Sequence, residues 1–337
     1  MFFLFNVLPG DPARMLLGQR ADLQTVEMIR SELGLDKSKG LQYVRYINDL
    51  SPLSVYNKTD PDNYFFLDSN KYSKTLSLVS IGKSTIVLKP PYLGRSYQQK
   101  RNVTGMITDV IPPTFLLALT AIFFAFIIGI TLGIICALKK DTWIDRVLIL
   151  LSTIGVSLPS FFTAILFGWF FAFVLGDLTG LNLTGNIYEI DDFGGGRVLV
   201  LKNLLLPAIT LGIRPLSVFI QLSRNSMLDV LSQDYIRTAR AKGLSFSRII
   251  LKHALRNSLN PVVTAASGWF ASLMAGVVFV EYIFGWKGLG YMIVDALNQY
   301  DMPVVLGAVI TIASFFVLIN ILVDLLYSLL DPRIRSL

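Results

Sequence analysis

Five long apolar stretches, four uncharged and one with a single arginine, limit what this chain can fold into. Val110–Leu138, Val147–Gly176, Val262–Val280 and Val304–Val323 contain no Asp, Glu, Lys or Arg, and Asn203–Ser223 contains only Arg214. A helix needs about 20 apolar residues to cross the hydrocarbon of a bilayer. The chain is 53% hydrophobic and 16% charged, whereas a soluble domain carries roughly 25% charged residues. The blocks therefore predict an all-α membrane protein with five spans, over a core at 110–330.

Residues Met1–Leu8 are also apolar, but Pro9-Gly10-Asp11-Pro12 stops them. So short a segment makes about 12 Å of helix, too little to cross. It reads as the remnant of a first span, which predicts about 10–20 more apolar residues upstream, with Lys or Arg before them.

Short loops keep Lys and Arg on the cytoplasmic side. Lys139, Lys140 and Arg146 share one loop. Arg224, Arg237, Arg240, Lys242, Arg248, Lys252 and Arg256 share another, and Arg333 and Arg335 lie in the tail 331–337. These segments alternate correctly with the spans and so predict one cytoplasmic face. The segment 9–109 then lies outside, being too long for the charge rule. In it Leu23–Leu35 reads as a helix stopped by Gly34, and Thr75–Ile81 and Thr85–Leu88 read as strands. The expectation is a small external α+β lobe. Gly194-Gly195-Gly196 reads as a flexible external loop.

Several function classes lack their residues. Gly82-Lys83-Ser84-Thr85 is half of a phosphate loop, but Ser77 stands where its first Gly belongs, and the residues that follow look like a strand. With His253 and Cys136 as the only residues of their types, no His/Cys metal set forms and no internal disulfide is possible. No catalytic constellation appears, the spans offer only Asp324 near an end, and no cofactor is implied. The net charge of +7 is not gathered on one soluble face, which argues against nucleic acid.

The basic loop at 226–261 carries the functional signal. Asp234–Lys242 reads as one helix, Gly243 as its stop and Ser245 as the N-cap of the next. Ile249, Ile250, Ala254 and Leu255 give the second helix an apolar stripe. A basic amphipathic segment can lie on anionic lipid. The helix–Gly–helix break, with Ala239 and Gly243 at close-packing spacing, suits a rigid knob that grips a soluble partner and moves with it.

The loop resembles the segment by which permease subunits of bacterial ABC importers dock on their ATPases. That family has Glu-Ala-Ala, three residues, Gly, nine residues, then Ile-x-Leu-Pro. Ala239, Gly243 and Leu255 match it; Arg237, Thr238, His253 and Arg256 depart from it. Arg237-Thr238-Ala239-Arg240-Ala241-Lys242-Gly243 and His253-Ala254-Leu255-Arg256-Asn257 are similar to the dipeptide/oligopeptide branch. Leu8-Pro9-Gly10-Asp11-Pro12, Glu32-Leu33-Gly34-Leu35-Asp36, Leu93-Gly94-Arg95-Ser96-Tyr97, Leu158-Pro159-Ser160-Phe161 and Leu330-Asp331-Pro332-Arg333 follow in the order of that branch's first permease. Gly285-Trp286-Lys287-Gly288-Leu289-Gly290 is similar to its Pro-Gly-Leu-Gly segment, with Lys287 where Pro is common.

The resemblance implies six spans in the inner membrane, a second permease of similar fold, two ABC ATPases and an external substrate-binding protein. It implies coupling through Arg237, Thr238, Ala239, Ala241, Lys242, Gly243, His253 and Leu255. The reading is an importer subunit that forms half of a path for di- or oligopeptides, with nickel chelates, glutathione or another small solute such as a sugar as the alternatives within the branch. A secondary transporter with its own ion coupling is the distant alternative, and it would want acidic midplane sites. Arg214 belongs to no family motif. At the middle of a span it costs about 2.5–3.5 kcal/mol on insertion scales. Either it bonds to carbonyls freed by Pro215 or to a neighbouring acid, or it lines the path and meets a carboxylate.

Overall fold

The computed structural model describes residues 2, 22–32, 34–61, 63–68, 71–72, 75–190 and 196–330. The apolar start (Phe2 apart), the Pro9-Gly10-Asp11-Pro12 stop, Leu33, Gly194-Gly195 and the tail 331–337 lie outside the described residues, as does the side chain of Asp324. The chain divides into two units, Met1–Asp109 with Met292–Ile310, and Val110–Tyr291 with Thr311–Leu337.

In the first unit, α1 (Leu23–Glu32) and α2 (Lys39–Leu50) precede strands β1 (Leu53–Asn57), β2 (Leu76–Ile81) and β3 (Ser84–Leu88). Gly34 stops α1 as its sequence position suggests, with a φ of 68° and the Leu35 N–H turned back to the Arg30 carbonyl at 2.8 Å. The three strands form an antiparallel sheet in the order β1-β3-β2. Both α2 and β1 went unread in the sequence. Ile81 pairs with Ser84, so Gly82-Lys83 is a two-residue hairpin turn, with Gly82 at a φ of 59°. That geometry explains the fragment that resembles a phosphate loop: a tight hairpin needs a residue able to adopt positive φ.

One carboxylate organises the interior of this lobe. Asp49 of α2 accepts from the hydroxyls of Tyr56 (2.8 Å) and Tyr72 (2.6 Å) and from Lys71 Nζ (3.0 Å). Burial and the charge of Asp49 hold both tyrosines well above their ordinary pKa, so they remain donors. Burial pulls Lys71 down and the Asp49 charge opposes that pull. The Leu93-Gly94-Arg95-Ser96-Tyr97 motif is fixed by a second carboxylate. The Ser96 hydroxyl and the backbone N–H groups of Tyr97 (3.0 Å) and Gln98 (3.3 Å) all meet Asp301, which is buried.

The long helices follow from the apolar blocks. After β3 the chain forms α3 (Val103–Leu138), α4 (Trp143–Ser157), α5 (Ser160–Phe167, continued by a π turn at Gly168–Val174), α6 (Lys202–Leu231), the short basic α7 (Asp234–Ala241), α8 (Asn260–Gly276), the short α9 (Val278–Ile283), α10 (Leu289–Asn298) and α11 (Met302–Leu330). A two-stranded hairpin, Tyr188–Ile190 with Arg197–Leu199, interrupts them before α6. Among the described residues three helices are long and apolar enough to cross a membrane: α3, α6 and the Met302–Val323 part of α11. The stretch read as one span at Val147–Gly176 is α4 and α5, which meet at a bend of 112°. Pro159 lacks an N–H and forces Leu158 out of the helical region, to a ψ of 131°. The stretch at Val262–Val280 is also divided, between α8 and α9.

Of the three long helices α6 is the most enclosed, with 67% of its apolar window buried, against 39% for α3 and 22% for α11. Small residues allow this enclosure. Gly129 and Gly133 of α3 sit against Phe219, Ile220 and Ser223 of α6. A Cβ on Gly133 would lie 2.5 Å from Ser223 Cβ and 2.6 Å from the Ile220 carbonyl. Gly212 of α6 leaves no more room, its Cβ position lying 2.8 Å from the Ala121 carbonyl, and Gly155 of α4 lies against Ser217. Membrane helices gain little from hydrophobic transfer on meeting one another, so such backbone approach drives their association. Gly133→Leu is therefore expected to separate α3 from α6, at a cost of about 1–3 kcal/mol or more. The check is the yield of monodisperse protein from membranes, where Gly133→Leu should fall well below Gly105→Leu, whose Cβ position is open.

Candidate functional site

The basic loop is built as two helices around a glycine. Helix α7 ends in a paired capping arrangement: Gly243 N–H donates to the Arg240 carbonyl (2.9 Å) and Leu244 N–H to the Ala239 carbonyl (3.3 Å). This requires a left-handed residue at Gly243, whose φ is 76°. Ser245 occupies the expected N-cap position, but its hydroxyl makes no capping bond. Its carbonyl accepts from Ile249 N–H at 3.0 Å instead. The second helix is not uniform: Phe246–Arg248 is α-helical, Ile249–Ala254 is a π turn and Leu255–Ser258 returns to α. Such π turns accompany functional segments.

One side of this knob is held fast. Ile236, Ala239, Ile249, Ile250 and Ala254 are buried in a cluster with Ala137 at the end of α3 and Met227 of α6. Asn257 Nδ2 donates to the Tyr235 hydroxyl at 2.9 Å and ties the two helices together. Of the residues singled out in the sequence, Arg237, Thr238, Ala241, Lys242 and Gly243 are exposed, His253 and Leu255 are half-buried, and Ala239 faces inward. Arg237 meets Asp234 at 3.3 Å, both side chains remaining in the open, so the pair adds little stability. The exposed face is thus basic and small-residued, on an apolar foot.

Arg214 lies elsewhere, within α6 beside Pro215. It is exposed on this chain and has no hydrogen bond or ion pair among the described residues. The neighbouring acid that a structural role would use is thus absent from the described part of its own chain. An arginine within a span calls for a polar partner or water.

Two carboxylates that the sequence reading did not single out organise the same unit. Asp145, in the first turn of α4, accepts a two-pronged bond from Arg224 of α6, Nε to Oδ1 at 2.6 Å and Nη2 to Oδ2 at 2.7 Å. It also takes the Asp141 N–H at 3.0 Å. Glu281 of α9 is fully buried. Its Oε1 accepts from the Thr114 hydroxyl (2.7 Å) and its Oε2 from the N–H groups of Gly290 (2.7 Å) and Tyr291 (3.1 Å), at the start of α10. The Gly285-Trp286-Lys287-Gly288-Leu289-Gly290 segment wraps this carboxylate. Trp286 is buried and donates to the Pro113 carbonyl at 3.1 Å, and Gly288 leaves no room for a side chain beside Glu281 and Thr114. Thr114 closes the clamp by accepting from Leu289 N–H at 2.7 Å.

Comparison with known proteins agrees with this architecture. Residues 129–336 match the family described as the inner membrane component of binding-protein-dependent transport systems. Residues 1–61 match the N-terminal segment of such membrane components. The chain belongs to this family. It is a multi-pass inner-membrane transport subunit. The chain is 33% identical to the dipeptide transport system permease protein DppB of Alkalihalophilus pseudofirmus, over 99% of this chain and 93% of that one. It is 33% identical to the glutathione transport system permease protein GsiC of Salmonella typhimurium, over 99% and 92%. The di/tripeptide permease protein DppB of Pseudomonas aeruginosa is 32% identical over the same shares. In fold the permease is similar to a chain of the MetNI methionine ABC transporter in an inward-facing conformation, with a TM-score of 0.53, 16% identity, and 68% of this chain and 97% of that one covered.

The Glu281 clamp gives a direct test of how the permease is held together. Glu281→Ala strands the backbone N–H groups of Gly290 and Tyr291 in a buried site and leaves the Thr114 hydroxyl only its longer bond to the Val110 carbonyl, at roughly 1–3 kcal/mol for each unpaired group. The expected outcome is a lower thermal midpoint for the detergent-solubilised chain, with Glu281→Gln falling less far. An unchanged midpoint in both variants contradicts the clamp.

Proposed function

We propose that this permease forms half of an ATP-driven path for di- or oligopeptides and that the 234–257 loop is where partner ATPases grip it. The observation that carries the reading is the loop itself, two helices locked at an angle by Gly243 and seated on the ends of α3 and α6. A body seated this way can push on helices, which a solvated loop cannot. The partners are a second permease of similar fold, two ABC ATPases that hydrolyse the ATP, and an external substrate-binding protein. The basic loop and the tail lie in the cytoplasm, and the 9–109 lobe lies outside, in keeping with the distribution of Lys and Arg. Peptide transport is supported by the names of the relatives, and glutathione, named for one of them, is itself a small peptide. Both carboxylate oxygens of Glu281 are bound by protein donors, which favours a structural role for that buried acid over ion coupling.

Gly243 tests the docking assignment. Valine is β-branched and tolerates positive φ poorly, whereas asparagine adopts it routinely. Gly243→Val is therefore expected to lose co-purification of the ATPases, with membrane insertion preserved, and Gly243→Asn to retain most of it. Wild-type co-purification for the valine variant would sink the assignment.

Arg214 tests the path. Its exposure on its own chain supports a role in meeting a peptide carboxylate in the space between the two permeases. Arg214→Leu should then cut uptake of alanyl-alanine roughly tenfold, the size of one lost charge-assisted bond of about 1.5 kcal/mol, while uptake of alanyl-alanine amide changes little. Arg214→Lys should fall between, because it keeps the charge and loses the planar fork. Equal loss of both peptides, after normalising to subunit abundance, removes this role.

A further inference from the structure

The ion pair between Asp145 and Arg224 joins three parts of the permease that the sequence keeps far apart. Asp145 is in the first turn of α4, and its side chain is 4% exposed. Arg224 is in the lower part of α6, the helix that runs on into the basic loop. The third part is the α3–α4 turn. Asp141 adopts a left-handed conformation there, with a φ of 64°, and its N–H is held by Asp145 Oδ2. A two-pronged arginine–carboxylate contact fixes direction as well as distance. It resists both sliding and rotation of α6 against α4.

Neighbouring contacts act in the same sense. About one turn back along α6, Gln221 Nε2 donates to Ser152 Oγ of α4 at 3.1 Å. On an adjoining side of the same stretch of α6, the Gly133 Cβ position lies 3.1 Å from the Arg224 backbone nitrogen, so α3 packs against the same residue. Just beyond, Met227 is buried in the cluster with Ile236, Ala239 and Ile250 of the loop. Arg224 therefore stands between the apolar foot of the loop, the start of α4 and the last turns of α3.

We propose that Asp145 and Arg224 are positioning residues that relay displacement of the 234–257 loop from α6 to α4 and the α3–α4 turn. The proposal rests on the reading of that loop as the ATPase-docking element. It assigns the pair a task separate from docking, since neither residue lies on the exposed face of the knob. Surface attachment of the ATPases and transmission of their motion are then distinct properties with distinct residues.

The test uses the complete transporter reconstituted with its partner permease, ATPases and binding protein loaded with alanyl-alanine. The variants are Asp145→Asn, Arg224→Gln, the lengthened Asp145→Glu, and the exchange Asp145→Arg with Arg224→Asp. ATPase co-purification, basal hydrolysis and the ratio of stimulated to basal hydrolysis are read for each, per assembled complex. Both neutral variants are expected to keep co-purification and basal hydrolysis while the stimulation ratio falls toward one. Asp145→Glu should give an intermediate ratio, and the exchange should recover at least half of the lost stimulation. A wild-type ratio in the surviving neutral variants overturns the relay, as does an exchange that restores abundance without restoring the ratio. Loss of ATPase co-purification from the neutral variants also overturns it, because the pair would then serve docking. Failure of docking as a whole is seen separately, as ATPases that still co-purify with Gly243→Val.

Discussion

Close backbone contact on α6 is the constraint from which the rest of the permease unit follows. In hydrocarbon there is no hydrophobic gain for bringing two apolar helices together, so shape has to supply it. Gly129 and Gly133 from α3, Gly155 from α4 and Gly212 on α6 itself remove the side chains that would hold the backbones apart. The result is one enclosed helix with others packed on it. That helix carries Arg214 on an exposed face, Arg224 at its lower end and the basic loop as its continuation. On the proposed docking role, a displacement of the loop carries α6 with it, and with α6 what the glycines and the Asp145 pair fasten to it.

Carboxylates do the fastening at points where the chain must turn. Asp145 fixes the α3–α4 turn, Glu281 fixes the entry to α10 and Asp301 fixes the loop at 96–98. In each case one or more backbone N–H groups left without a helical partner are satisfied by a buried acid. Irregular backbone is tolerated in such surroundings only if its polar groups are paired. The arrangement also accounts for several short motifs that carry no chemistry of their own. Gly285-Trp286-Lys287-Gly288-Leu289-Gly290 is the wrapping of Glu281, and Gly94-Arg95-Ser96-Tyr97 is the binding site of Asp301.

Features governed by local rules were legible in the sequence. The apolar blocks, the Gly34 and Gly243 stops and the apolar stripe of Ile249, Ile250 and Ala254 all depend on residues within a turn or two of one another. The kink at Pro159 was equally local, and its signal stood in the sequence as an X-Pro pair inside an uncharged run, but charge counting alone passed over it. The carboxylate partners were not legible. Asp145 and Arg224 are 79 positions apart, Thr114 and Glu281 are 167 apart, and Ser96 and Asp301 are 205 apart. No periodicity connects residues at such separations. The lobe's α2 was missed for a different reason: Lys39–Leu50 mixes polar and apolar residues, and its key residue, Asp49, faces inward.

If the loop couples ATP hydrolysis to the path, the basic loop and the bases of α3, α4 and α6 move as one block during the ATP cycle. Spin labels at Lys242→Cys on the loop and Trp143→Cys at the start of α4, in a chain with Cys136 replaced by alanine, measure this directly by pulsed electron–electron resonance. One narrow distance distribution is expected, the same without nucleotide and with ATP trapped in the complete transporter. A distance that shifts or broadens when ATP is trapped would contradict it, since the loop would then be moving against the helices it is held to drive.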